Sequence, residues 1–308
     1  MRLVPLFGLA AIAACGSFGT SSEPPAVVDG GTDAGADSVT SPAPPDDGDP
    51  CPPQADFIKD EPVAGLEKGS VPGMLSADEL TIFVHYGVTA ETDLFFATRE
   101  SRNAAFGPRN ELPMFASQNI EREGAISPDG LTFVFARDTG GAADLYRASR
   151  TDSSQPFSNV TKLETSVNSG SEEAAPYLTQ GALYFSRGAG AALFRVSRAP
   201  DGSFASPVEE LTELRPPTDV EQTHPVVTPD DQVIYFASRR TDRGVLTGEL
   251  DVFTASKNPA NEFGDIHPVK GVSSPGIDLP TFISPDNCRL YFFRIAGGTR
   301  EARVASRR

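Results

Sequence analysis

One phrase returns roughly every 50 residues along this chain, and it constrains the fold more than any other feature. Each copy is an apolar run, a turn headed by Ser or Thr, and a triplet of β-branched and aromatic residues. The turns begin at Ser76, Ser127, Thr179, Thr228 and Ser284, at spacings of 51, 52, 49 and 56 residues. The triplets that follow are Ile82-Phe83-Val84, Phe133-Val134-Phe135, Leu183-Tyr184-Phe185, Ile234-Tyr235-Phe236 and Leu290-Tyr291-Phe292.

Two further phrases keep the same period. One reads TDLFFATR, ADLYRASR, ALFRVSR, LDVFTASK and EARVASR, closing on Arg99, Arg150, Arg198, Lys257 and Arg307. The other opens on Phe106, Phe157, Phe204 and Phe263 and runs into apolar residues such as Val160, Leu163, Val208 and Leu211. Aromatic and β-branched runs punctuated by Gly, Pro, Asp and Asn predict strands joined by tight turns, with essentially no helix. Four strands per period cannot bury both faces of their own sheet and must stack on neighbouring copies. The expected fold is therefore all-β, a single propeller of five four-stranded blades.

The fifth copy ends after its third strand, yet its missing fourth phrase stands near the start of the chain, from Phe57 to Leu66, and resembles the segment from Phe263 to Val269. The N-terminal strand is expected to complete the last blade, so that the ends of the chain pair instead of leaving open sheet edges.

The wording Ser127-Pro128-Asp129-Gly130, followed by an aromatic strand and Asp144-Leu145-Tyr146, resembles the WD40-like PD40 repeats of TolB-type propellers. It is fair at Thr228-Pro229-Asp230-Asp231 and Ser284-Pro285-Asp286-Asn287, weaker at Ser76-Ala77-Asp78-Glu79, and lost at Thr179-Gln180-Gly181. The resemblance implies an envelope propeller that serves as a protein-binding platform. No counterpart of TolB's α/β domain is read in this sequence, so TolB's own partners are not carried over. The turn aspartates Asp129, Asp230 and Asp286 have a mechanical reading: they accept backbone amides while Gly130 takes a positive φ. Asp93, Asp144 and Asp251, at the third strands, read the same way.

Ahead of the repeats, Met1 and Arg2 precede an apolar run from Leu3 to Ala14, too short to span a membrane and read as a signal peptide over residues 1–14. Ile12-Ala13-Ala14-Cys15 resembles a bacterial lipobox, which implies lipidation of Cys15; Gly16 in place of an Asp leans to the outer membrane. Residues 15–55 hold many acids, Pro and Gly and, after Cys15, no Lys or Arg. This composition predicts a solvated tether ahead of a propeller at 56–308. Residues 16–56 carry much of the net charge of −16; without them and the leader the balance is about −9. An acidic propeller does not suit nucleic acid. Cys51 and Cys288 are available for a disulfide in the closing blade, or Cys288 is simply a small buried hydrophobe.

Propellers bind at the central channel. Six residues before each turn stand Ser70, Glu121, Glu173, Gln222 and Asp278, an expected ring at the channel mouth, with His224 nearby. Such a ring could attract a basic peptide, hold a cation, or supply two acids for glycoside hydrolysis; it could equally be a salt-bridged rim with Arg122, Arg239 and Arg240. Glu123, Glu172 and Glu221 share the alternative, since a one-residue slip exchanges the faces of a strand. The histidines His85, His224 and His267 fall on second, first and fourth strands, with no sequence reason to converge. The motifs of serine hydrolases, zinc proteases, phosphate loops and redox pairs are missing, and no cofactor is expected. The reading is a monomeric binding platform for an envelope protein or peptide, with a glycan-active enzyme and a ligand-free scaffold as alternatives.

Overall fold

A computed structural model describes residues 49–86, 92–112, 115, 117, 119–188, 192–204, 207–218, 220–243 and 249–308. The expected signal peptide, Cys15 and the expected tether as far as residue 48 lie outside the described residues.

Five four-stranded antiparallel sheets account for nearly all regular structure, and the fold is a five-bladed β-propeller. From the inside outward, blade I comprises Val71–Leu75, Thr81–Tyr86, Asp93–Thr98 and Asn110–Glu111, and blade II Ile120–Ile126, Thr132–Asp138, Asp144–Ser149 and Ser158–Lys162. Blade III comprises Glu173–Leu178, Ala182–Arg187, Ala192–Ser197 and Glu209–Glu210; blade IV comprises Gln222–Val227, Val233–Ser238, Asp251–Lys257 and Phe263–Pro268. Blade V takes Ile277–Ile283, Arg289–Ala296 and Thr299–Ser306 from the C-terminal end and Lys59–Pro62 from the N-terminal end. Each inner strand packs against the inner strands of both neighbouring blades, blade V against blade I included, so the ring closes.

The recurring turn has the chemistry its residues dictate. In blade II the Ser127 hydroxyl donates to Asp129 at 2.5 Å and accepts the Thr132 amide at 2.9 Å, while Asp129 accepts the Leu131 amide at 2.9 Å. Ser76 with Asp78 and Thr228 with Asp230 repeat the pattern. The fourth turn residue is left-handed in four blades: Glu79, Gly130, Asp231 and Asn287.

The basic residue that ends the third-strand phrase turns out to be a clasp in blades I, II and V, whereas Arg198 of blade III reaches Thr132 of blade II. Arg99 Nε donates to the Glu79 carbonyl at 2.8 Å and Arg150 Nε to the Gly130 carbonyl at 2.7 Å, and Arg307 reaches the Asn287 carbonyl. These three cations, and Lys257 of blade IV, lie over the phenylalanine that opens the outer strand: Arg99 over Phe106 at 4.5 Å, Arg150 over Phe157 at 4.4 Å, Lys257 over Phe263 at 5.1 Å and Arg307 over Phe57 at 4.1 Å. Phe57 thus does for blade V what a local phenylalanine does elsewhere.

Closure is bonded covalently as well. Cys51 and Cys288 form a disulfide, with Cα atoms 5.1 Å apart. The Cys51 amide donates to the Asp286 carbonyl at 2.8 Å, Tyr235 donates to the Pro53 carbonyl at 3.0 Å, and Arg307 donates to the Ala55 carbonyl at 2.7 Å. The tether was expected to run to residue 55, but its last stretch from Asp49 is docked on the propeller, because the disulfide and these carbonyl contacts hold it there.

Candidate functional site

The inner strands do not run straight past the axis. In every blade the pairing of inner and second strands slips once, between Pro72 and Leu75, Arg122 and Ala125, Ala174 and Tyr177, Thr223 and Val226, and Pro280 and Phe282. At this bulge Glu123, Ala175 and His224 take positive φ values of 57°, 48° and 53°. The bulge re-aims the strand: Pro72, Glu123, Ala175, His224 and Pro280, all four residues before their turns, line the channel wall. Blades I and II approach each other through glycine. A Cβ on Gly73 would stand 2.5 Å from the Gly124 carbonyl oxygen.

The ring expected six residues before each turn lies elsewhere. Glu121, Glu173 and Asp278 have no exposed surface, and Gln222 is 2% exposed. Each acid is paired within its own blade. Arg137 Nε donates to Glu121 at 2.7 Å, Arg187 Nε to Glu173 at 2.8 Å, and Arg294 Nε to Asp278 at 2.7 Å. A serine four residues back completes each pair: Ser117 and Ser169 donate hydroxyls at 2.5 Å, and Ser274 donates its amide at 2.7 Å. Blade IV has Ser238 where the arginine would stand, and Gln222 donates instead to the Leu214 carbonyl at 2.8 Å. Burial pushes the Glu121 and Asp278 carboxyls upward, against the pull of serine and arginine. Ser70 is buried as well, and of the six residues expected at the channel mouth His224 is the one on the channel wall.

The charged group that does face the channel is Glu123. Its carboxylate accepts the Ala175 amide at 2.6 Å and an Arg122 guanidinium N–H at 2.9 Å, and Arg122 also holds Glu172. Burial alone would raise this carboxyl, but Arg122, His224, the Ala175 amide and His85 outweigh it and hold it at about 2. His85 Nδ1 accepts the Glu123 amide at 3.4 Å; burial draws His85 down to about 4, opposed by Glu123. His224 is lowered too, by burial first, and its Nδ1 lies 3.0 Å from the Thr223 hydroxyl. Both imidazoles are therefore neutral near pH 7. His267 stands apart, its Nδ1 2.8 Å from the Asp265 carbonyl oxygen. Two of the three histidines thus lie close enough to Glu123 to act on it electrostatically. His224 and Glu123 share a repeat position, a signal present in the sequence, whereas His85 arrives from a second strand through the register Val71 to His85.

The cavity inside this wall is about 30 Å³, room for a water and not for a sugar ring. Below it, past Met74 and Tyr177, the channel widens to an apolar mouth of about 190 Å³ edged by the turns, with Pro128, Pro229 and Pro285 on its rim. Among the described residues no three or more His, Cys, Asp or Glu side chains are arranged to hold a metal ion, and no helix is long and apolar enough to cross a membrane.

The fold and the channel define the class: a five-bladed β-propeller with one charged and one apolar channel mouth. No protein-family model matches the chain, and no curated protein matches its sequence. Solved structures share the fold. The native arabinanase of Bacillus subtilis aligns with a TM-score of 0.53 at 11% identity, over 79% of this chain and 95% of that one. A glycosyl hydrolase from Bacteroides ovatus aligns at 0.52 and 14% identity, over 85% and 94%. TolB from Acinetobacter baumannii aligns at 0.44 and 13% over 78% of this chain, which spans 54% of that protein. At such identities the likeness is one of fold alone.

Proposed function

We propose that this protein is an exported, lipid-anchored propeller whose charged channel mouth binds an envelope protein or peptide noncovalently. The observation that carries the reading is the braced constellation of Arg122, Glu123, Glu172, His85 and His224 above a cavity of about 30 Å³. Pockets for small ligands are usually about 300–1,000 Å³, so a partner would engage the mouth from outside. Glu123 is fixed in orientation and ionised, which suits recognition of a cationic or amide-bearing group. Glu121, Glu173 and Asp278 would brace the strands that present it. The Cys51–Cys288 disulfide fits an oxidising compartment, and the lipobox-like N-terminus supplies the anchor, with Gly16 leaning to the outer membrane.

The test is chemical crosslinking in native envelopes with the full-length protein beside Arg122→Ala and Glu172→Ala variants, each checked for an unchanged Tm. A specific neighbour lost with either variant supports the reading; the same neighbours with all three proteins sink it.

The arabinanase likeness makes hydrolysis of a glycan the competing reading. A glycosidase needs a carboxyl able to hand over a proton, and Glu123 is held far below that range. Turnover of arabinan by the purified protein, abolished in Glu123→Gln, would replace binding with catalysis.

A further inference from the structure

We infer that the cleft between blades I and II is a binding site for a small organic anion with an apolar body. Three other blade interfaces are closed by a repeated polar lock. The central tyrosine of one blade's triplet meets the left-handed turn residue or the clasp cation of the next. Tyr291 donates to Glu79 at 2.9 Å and accepts from Arg99 at 2.9 Å. Tyr184 donates to Asp231, which Lys257 holds at 2.7 Å. Tyr235 accepts from Arg307 at 2.8 Å.

Between blades I and II the same positions hold Phe83 and Gly130, so the hydroxyl and the turn carboxylate are both absent. The cation remains. Arg150 bonds the Gly130 carbonyl at 2.7 Å and the Gln155 carbonyl at 3.3 Å, and Asp152 acts on it electrostatically. What opens beside it is a cavity of about 620 Å³, with Phe83, Phe96, Leu112, Ile126 and Phe157 among its walls. That volume lies within the usual range for small-ligand sites. The apolar wall takes the ligand's body, and Arg150 takes its anionic group in place of the carboxylate that two of the other locks provide. Glu111 also lines the cavity but is exposed to solvent on the outer strand, and Arg150 is the one cation among the described lining residues.

The probes are anilinonaphthalene sulfonate, an anion, and phenylnaphthylamine, its neutral relative, titrated by fluorescence against the folded full-length protein. The sulfonate should saturate one site. Arg150→Gln should weaken it by about tenfold or more, the fold-change of one charge-assisted hydrogen bond, and leave the neutral dye unmoved. Phe83→Tyr with Gly130→Asp should abolish sulfonate binding by rebuilding the lock, since Asp231 occupies the equivalent left-handed site at φ 60°. Ser153→Trp, on the exposed rim, should block both dyes without touching the core. Absence of a saturable sulfonate site overturns the inference, as does equal binding of the two dyes in wild type and Arg150→Gln, or binding that survives Ser153→Trp.

Discussion

Glu123 of blade II accepts the backbone amide of Ala175 of blade III at 2.6 Å, and both residues are left-handed at the bulge of their inner strands. One carboxylate therefore ties two neighbouring blades at the axis and sets the charge of the channel mouth.

Its protonation gives a pH signature. An unfolded histidine takes up a proton near pH 6.5, while His85 in the fold waits until about 4. The unfolded state binds protons first, so stability falls as pH drops from about 6.5 to about 4, with His224 adding in the same direction. Glu123 is held at about 2 against an ordinary 4.5, so its stabilisation is complete above about 4.5 and is lost as pH falls toward 2. Glu121 and Asp278, raised by burial, work the other way and favour the fold as they protonate. Tm measured across pH 7 to 3 should fall, and His85→Asn should flatten the limb between 6.5 and 4 while leaving the lower limb. An unchanged upper limb in that variant would refute the assignment.

The ring of buried acids is expected to govern folding. Glu121→Gln removes the partner of Arg137, whose side chain is 14% exposed, and should cost about 3 kcal/mol in urea denaturation. Blade IV shows the remedy, since Gln222 faces Ser238 there. Glu121→Gln combined with Arg137→Ser should be more stable than Glu121→Gln alone. If the second change adds to the damage, the pairing is not what the acid is there for.

Removing the disulfide should loosen the closure. Cys51→Ala with Cys288→Ala frees a loop closed across a sequence separation of 237 and is expected to lose about 2–5 kcal/mol. Amide exchange should rise first in Lys59–Pro62, the strand whose attachment to Thr299–Ser306 the bond secures. Uniform exchange across all five blades would show that closure is held by something else.

Much of this architecture is written in the chain. Ser127 and Asp129 announce their turn, and the likeness of Phe57 to Phe263 announces the closing strand, because both are local chemistry repeated in register. The inward faces are harder to read. Alternation back from Ser127 puts Glu123 and Glu121 on one face, but the bulge between Arg122 and Ala125 breaks that alternation, so Glu123 lines the channel while Glu121 is buried against Arg137. His85 was hidden for another reason: its approach to Glu123 depends on cross-strand register in blade I, not on any period of the repeat. The pairing of Tyr291 with Glu79 and of Phe83 with Gly130 is visible in the sequence only after the structure shows which blade follows which.

That pairing carries a last prediction. Glu79 has no exposed surface and accepts Tyr291 at 2.9 Å, two Arg289 N–H groups at 2.8 and 2.7 Å, and stands 3.3 Å from Arg102. Glu79→Gly keeps the left-handed backbone but strands these cations, and should cost about 3–5 kcal/mol. Tyr291→Phe removes one hydroxyl bonded to a charge, worth about 1.5–3 kcal/mol. Together they recreate at the blade V to blade I interface the pair found between blades I and II. Because the two residues share one network, the double variant should lose less than the sum of the singles, the gap being measured by a double-mutant cycle in urea. Simple additivity would mean that Tyr291 and Glu79 stabilise the interface independently, and the lock would then have to be assigned to Arg289 alone.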